Sequence, residues 1–406
     1  MTAEAPAASP ARRPPWSVDD IDLDAAREIA DPLADTAVAE YFATIDAESP
    51  GALFGALVRH TQLPPEERVP AIERFLTVGT TPPPEVDHDA VTRGQRFFNR
   101  LVTHHFSALY FSSLPSSYAA AKGVQVLHLT GRLRTDAERR LNETAQFLID
   151  VAAPGALDDD GVGVGVGVDR VLHVRLMHAA VRWLIANDPA VRRVDDLAPP
   201  ATLPPDLVWS NSWGLPGNQE DLVGTWLTFT VAVYDASDAS GVVYTDADVD
   251  DHLHMWRLIG HHLGVDPALI PPDRATATAL YRRIQLRQRA RCASGVTMTD
   301  ALVEQAHRHM PRLVRPMLPT AFRHYLGDDV ADVIGIAPAN WSRHLFPALT
   351  RMTRLTTRGS SVHHVHARWS AFVGRHLMNG ILAEQRHGER PAVQLPPHLA
   401  DDADRR

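Results

Sequence analysis

The stretch Asp169-Arg-Val-Leu-His-Val-Arg-Leu-Met-His178-Ala-Ala-Val-Arg182-Trp-Leu-Ile-Ala-Asn187 decides the fold class. Its apolar residues return every three or four positions with no alternation of period two, which makes it a helix buried over much of its circumference. Asp169 is the expected cap, and Pro189 lies just past the end. Working outward, the same period marks Asp22 to Ile45, Pro50 to Arg59, Asp87 to Phe111, Ala247 to Leu263, Ala275 to Arg291, Met298 to Met310, Pro319 to Leu326 and Arg358 to Gln385. Thr135-Asp-Ala-Glu138 has capping-box spacing, so a further helix should run from there to the stop at Pro154-Gly155. Asn218, with Asp221 three positions on, is a cap for another. Strand-like alternation is scarce, and the expected fold is all-α. Between the two core helices lie four Gly-Val pairs, Gly161 to Val168. They lack the Lys-Ser/Thr of a phosphate loop and read as a flexible or hairpin-like connection.

The 406 residues suit two or three domains, or one large helical domain with appendages. Composition divides the chain into a disordered Ala/Pro-rich tail (1–16), an N-terminal helical segment (17–84) closed by the Pro-rich link Thr80 to Pro84, a core (85–330), a C-terminal helical extension (331–390) and a loose polar tail (391–406). Apolar residues at 45% against modest Gly and Pro content indicate a globular protein. A formal charge of −9, without a dense basic run interleaved with aromatics, sets nucleic acid aside. One cysteine, Cys292, excludes an intrachain disulfide, paired-cysteine zinc sites and c-type haem attachment, and it fits a reducing, cytoplasmic setting. The longest apolar stretch, Leu222 to Tyr234, is broken by Gly224 and too short to span a bilayer, and residues 1–16 lack the apolar core of a signal peptide.

Several chemistries are absent by inspection, among them G-x-S-x-G and H-E-x-x-H. Glu85/His88 and Glu304/His307 repeat the E-x-x-H spacing of di-iron sites, but the first follows three prolines at a helix start, so both pairs read as unrelated surface residues. The histidine clusters His104/His105, His261/His262 and His363/His364/His366 are sequence neighbours that point in different directions on a helix, and they read as surface or core-edge residues. Cys292 reads as a free buried or semi-buried thiol. His178 differs in its surroundings: helical spacing aligns it with Val171, Val174, Arg175, Arg182 and Ile185. An axial imidazole, apolar neighbours over a macrocycle and guanidiniums for two propionates are what a buried haem requires. A core-edge histidine between two surface arginines gives the same spacing. Arg140 and Thr144 share a face near Leu141, Leu148 and Val151, which suits the open side of a cofactor pocket. Helix-end electrostatics and a back-bonded threonine account for that pair equally.

The order of these residues, with Ser113-Leu-Pro-Ser-Ser-Tyr118, Lys122-Gly123, Thr130-Gly-Arg-Leu133, Arg140-Leu-Asn-Glu-Thr144, Val174 to Arg182, Gly217-Asn-Gln-Glu-Asp-Leu222 and Trp256-Arg257 with Gly260, resembles the latex-clearing proteins and related rubber oxygenase-like haem b oxygenases. The resemblance spans about Asp87 to Gly327. It implies an all-α, globin-like core with additional N- and C-terminal helices, holding one haem b. It further implies His178 as the iron's proximal ligand, Arg140 and Thr144 on the distal side, and Arg175 and Arg182 in support of cofactor binding. Val174 and Leu148 are the apolar residues expected to serve the cofactor. Latex-clearing enzymes can carry a lysine just before the threonine; here that place holds Glu143, a candidate for proton transfer. The expected function is a cytoplasmic haem oxygenase that uses O2 on a small hydrophobic, unsaturated or isoprenoid substrate, by oxidative C=C cleavage or a related oxygenation. The rival expectations are a non-catalytic gas-binding haem protein and a haem peroxidase or peroxygenase.

Overall fold

The computed structural model describes residues 16–45, 50–130, 137–158, 165–204 and 207–358. Its helices are Leu23–Arg27 (α1), Pro32–Phe42 (α2), Pro50–Thr61 (α3), Pro70–Thr80 (α4), His88–Arg100 (α5), Val102–Ala108 (α6), Leu114–Tyr118 (α7), Val124–Thr130 (α8), Ala137–Ala152 (α9) and Val166–Asn187 (α10). They continue with Gln219–Ser240 (α11), Asp246–His262 (α12), Arg274–Gln288 (α13), Ala293–His309 (α14), Leu318–Leu326 (α15), Asp328–Val333 (α16) and Phe346–Arg358 (α17). Among the described residues the only sheet is a two-stranded parallel ribbon, Val191–Val194 (β1) with Leu207–Ser210 (β2). The fold is all-α, as its sequence period requires.

The two largest of four apolar clusters among the described residues organise these helices. The larger gathers Leu23, Val38, Ile72 and Phe75 with Val91, Leu172, Leu176, Leu227 and Ile259, so the segments before and after the Pro-rich link share one interior. The smaller gathers Tyr110, Phe111, Tyr118, Met298, Leu302 and Phe322 from α14, α15 and the chain around a wholly buried π-helical turn, Leu109–Ser113. Helix α9 bridges them, giving Leu141 to the smaller core and Ala145 and Leu148 to the larger.

Boundaries differ from the expectation where local chemistry overrides period. Asp22 to Ile45 is two helices, because Asp31 caps α2 through Ala34 N and Pro32 occupies the first helical position. Helix α14 starts at Ala293, not Met298: the Cys292 sulfur accepts from Gly295 N at 3.4 Å. A Cβ on Gly295 would lie 2.4 Å from the Tyr118 carbonyl oxygen, so this start packs directly on α7. Trp16, placed by composition in a disordered tail, donates from its indole to the Ala268 carbonyl at 3.0 Å. Helix α17 falls within the expected C-terminal helical extension (331–390), at a place where no individual helix was delimited. The helix expected over Arg358 to Gln385 lies, past Arg358, outside the described residues, as do both tails apart from Trp16.

Candidate active site

Helix α10 is the axis of the site. It begins at Val166, three residues before the expected cap Asp169, and the reason lies in the Gly-Val repeat. Cβ atoms on Gly165 and Gly167 would stand 2.4 and 2.7 Å from the Ala156 carbonyl oxygen, and Gly167 N donates to that oxygen at 2.8 Å. The last glycines of the repeat therefore let the helix start press on the end of the preceding segment; 161–164 lie outside the described residues. Asp169 instead sits in the first turn, 3.3 Å from His173 Nδ1.

Most of α10 is buried, including Val171, Leu172, Arg175, Leu176, Ala179, Ala180, Arg182 and Ile185. One stripe is only half-buried: Val174, Met177, His178 and Val181, at helical spacing along one face. His178 carries its Nδ1 inside the protein, out of contact with solvent. Helix α9 packs directly against α10, and it too leaves a half-buried face, with Glu143, Thr144 and Phe147, beside fully buried Ala145 and Leu148. Arg140 lies on α9 one turn before Thr144, so the expected distal pair shares a helix side; its side chain lies outside the described residues.

Among the described residues no three His, Cys, Asp or Glu side chains come together to hold a metal ion. A haem brings four nitrogens and requires one imidazole from the protein. The half-buried His178 imidazole, on a stripe with Val174, Met177 and Val181, meets that requirement, and these residues fit the group.

The two arginines expected at the propionates are held elsewhere. Arg175 is bidentate to Asp31, Nε and Nη2 at 2.6 and 2.9 Å, and its Nη1 donates to the His262 carbonyl at 3.3 Å. Arg182 Nε donates to Asp35 at 2.7 Å and Nη1 to the Gly217 carbonyl at 3.2 Å. Both guanidiniums thus bind α10 to the first turn of α2 and its cap. The Arg175 fork is matched to a carboxylate of the chain, whereas Arg182 keeps a buried Nη2 with no hydrogen-bond partner among the described residues. Val174 lies on the stripe with His178, whereas Leu148 is 1% exposed in the main core.

Several residues with no role assigned from the sequence join the helices around the site. Gln219 donates to Ala30 O and Gly264 O at 2.5 and 3.0 Å and accepts from Asp266 N at 2.8 Å, fastening the α1–α2 turn to the loop after α12. Glu220, fully buried, accepts from Arg27, Arg287 and Gln288. Gly260 is a packing glycine, since a Cβ there would lie 2.9 Å from Trp226 Nε1. The motifs Gly217 to Leu222 and Trp256 to Gly260 are thus the frame of the site, signalled in sequence by polar residues inside an apolar run.

Two histidine doublets are half interior. His105 is 2% exposed, stacked on Phe98 at 4.8 Å, and burial pushes its imidazole down to about 3. His262 is 1% exposed, with Nδ1 2.7 Å from the Gly79 carbonyl, and burial lowers it to about 4. His252, buried beside His105, is held well below the ordinary value by burial. Trp256 Nε1 can only donate, so His252 Nε2 accepts at 3.2 Å and Nδ1 carries the proton toward Tyr234 Oη at 2.8 Å.

Residues 101–358 match the family described as ER-bound oxygenase mpaB/B'/rubber oxygenase, catalytic domain. The chain belongs to that family, and it is an enzyme of the oxygenase class. The rubber oxygenase of Streptomyces sp. (strain K30) is 26% identical over 312 residues, covering 76% of this chain and 70% of the relative. A solved structure of the latex clearing protein LCP in the closed state superposes with a TM-score of 0.68 at 22% identity, covering 93% of this chain and 95% of the other, so the two share a fold.

Proposed function

We propose that this oxygenase works with one non-covalent haem b held by His178, and that it uses O2 on a small hydrophobic, unsaturated or isoprenoid substrate. The observation that carries the reading is the half-buried imidazole of His178, beside Val174, Met177 and Val181 on α10, a helix that packs against α9, in a chain of the oxygenase family. Haem, when bound, supplies O2 binding and its activation for attack on an alkene. The chain's own residues do the rest. Val174, Met177 and Val181 exclude water around His178 and offer an apolar wall to cofactor and substrate. The Thr144 hydroxyl and Arg140 orient and polarise oxygen from one side of α9, and the Glu143 carboxylate, one position before Thr144, moves a proton. Arg175 and Arg182 support the cofactor by fixing α10, and with it His178, against α2. The single thiol suits a reducing compartment, and we assign the enzyme to the cytoplasm; among the described residues no helix is long and apolar enough to cross a membrane.

The test is the fate of oxygen. With labelled O2 and an unsaturated apolar substrate, the label should enter the product. Entry from labelled peroxide instead would make the protein a peroxygenase, and reversible gas binding without turnover of any substrate would replace the enzymatic reading.

A further inference from the structure

Charge is unevenly placed in this chain. Residues 305–383 hold ten arginines, no lysine and three aspartates, so a local net charge of +7 stands in about a fifth of a chain whose total is −9. Two of those aspartates, Asp328 and Asp332, are both taken by Arg323 at 2.7 and 2.6 Å. From Val333 to Ala383 the sequence has no acidic residue at all.

Apolar exposure has the same address. Of the eleven large hydrophobic side chains exposed among the described residues, five lie between 313 and 355: Leu313 (88%), Trp341 (64%), Leu345 (41%), Met352 (40%) and Leu355 (70%). The fold brings their segments together. The Asn340 amide donates to the Pro316 carbonyl, and Asn340 N donates to the Thr320 hydroxyl at 3.0 Å, which sets the turn Trp341–His344 beside the turn Arg315–Met317. Helix α17 follows directly, with its inner side against the end of α11: Thr350 Oγ1 donates to the Ala239 carbonyl at 3.1 Å, and the Thr357 hydroxyl accepts from Val243 N at 3.1 Å. Its outer side presents Ala348, Met352 and Leu355 at helical spacing, with Arg351 and Arg354 exposed among them.

We propose that this face docks on the surface of an anionic lipid bilayer, with Trp341, Met352 and Leu355 entering the headgroup region and Arg343, Arg351 and Arg354 meeting lipid phosphates. Basic residues flanking an apolar stripe on a surface helix are the pattern of interfacial attachment, and an indole favours the headgroup level. A second copy of the chain would set this positive face against itself, and a nucleic acid would leave Leu355, Met352 and Trp341 without apolar partners. The inference is independent of the proposed function, because none of these residues lies on α9 or α10.

The full-length protein should sediment with phosphatidylcholine–phosphatidylglycerol vesicles at low salt but not with phosphatidylcholine alone, and added salt should release it. The paired variants Arg351→Glu/Arg354→Glu and Trp341→Ser/Leu355→Ser, all at exposed positions, should each weaken vesicle binding about ten-fold or more with unchanged helix content. Three results would overturn the proposal: no sedimentation with anionic vesicles at low salt, binding that ignores the Trp341→Ser/Leu355→Ser pair, or self-association of the free protein that the same substitutions abolish.

Discussion

The Arg175 guanidinium grips the Asp31 carboxylate with two hydrogen bonds, at 2.6 and 2.9 Å, and both side chains are almost wholly buried. Removing one partner leaves the other as an uncompensated buried charge, a loss of about 3–5 kcal/mol. Arg175→Leu and Asp31→Ala should therefore destabilise the fold to a similar degree, and the double variant by much less than the sum. Urea unfolding of the four proteins measures this. Destabilisation confined to the arginine variant would show that its main partner is something other than Asp31.

Gly264 depends on the same pair. It has φ +80°, and a Cβ there would lie 2.5 Å from both Arg175 Nε and Asp31 Oδ2. Gly264→Ala should thus act as a remote lesion of the ion pair and lower the unfolding midpoint, with no substituted side chain near His178. An unchanged midpoint would contradict the close packing.

Buried neutral histidines set the acid side of stability. His105 and His262, pushed by burial to about 3 and about 4, stay unprotonated in the folded protein where the unfolded chain takes up protons near 6.5. Their neutral state costs nothing above about pH 6.5, and below it each histidine removes about 1.4 kcal/mol of stability per pH unit until its folded value is reached. Unfolding free energy should fall between pH 6.5 and 5, a window above the ordinary carboxylate range, and His105→Phe should flatten the slope. A flat profile for the parent over that window would contradict the assignment.

The distal residues of the proposal make a different prediction. Arg140→Ala and Thr144→Ala remove polar groups without removing the proposed iron ligand, so the haem content of each variant should equal the parent's. Turnover should fall about a hundred-fold or more, as when a preorganised polar group near developing charge is lost. Equal turnover in both variants would take α9 out of the chemistry.

The helices were legible in sequence because most of the chain buries one face at a period of 3.6, and a cap such as Asn218 announced a start. The break at Asp31-Pro32 is written in the residues but masked by an apolar period that runs through it. The start of α10 was not legible, because Gly165 and Gly167 take their meaning from the Ala156 carbonyl, a contact between residues on either side of a loop. The arginines show the same limit for the site. Spacing put Arg175 and Arg182 on the face of His178, but only the fold supplies Asp31 and Asp35, about 145 residues away in sequence, as their partners.

The most direct test of the account is the absorption spectrum of the purified protein after haem-replete expression, taken for the parent and for His178→Ala. The account predicts a b-type haem spectrum whose cofactor acid-acetone extracts from the parent, and loss or severe weakening of that spectrum in the variant at unchanged helix content. A parent that shows no haem and takes up none on titration, or a His178→Ala protein that retains a full complement, would contradict it.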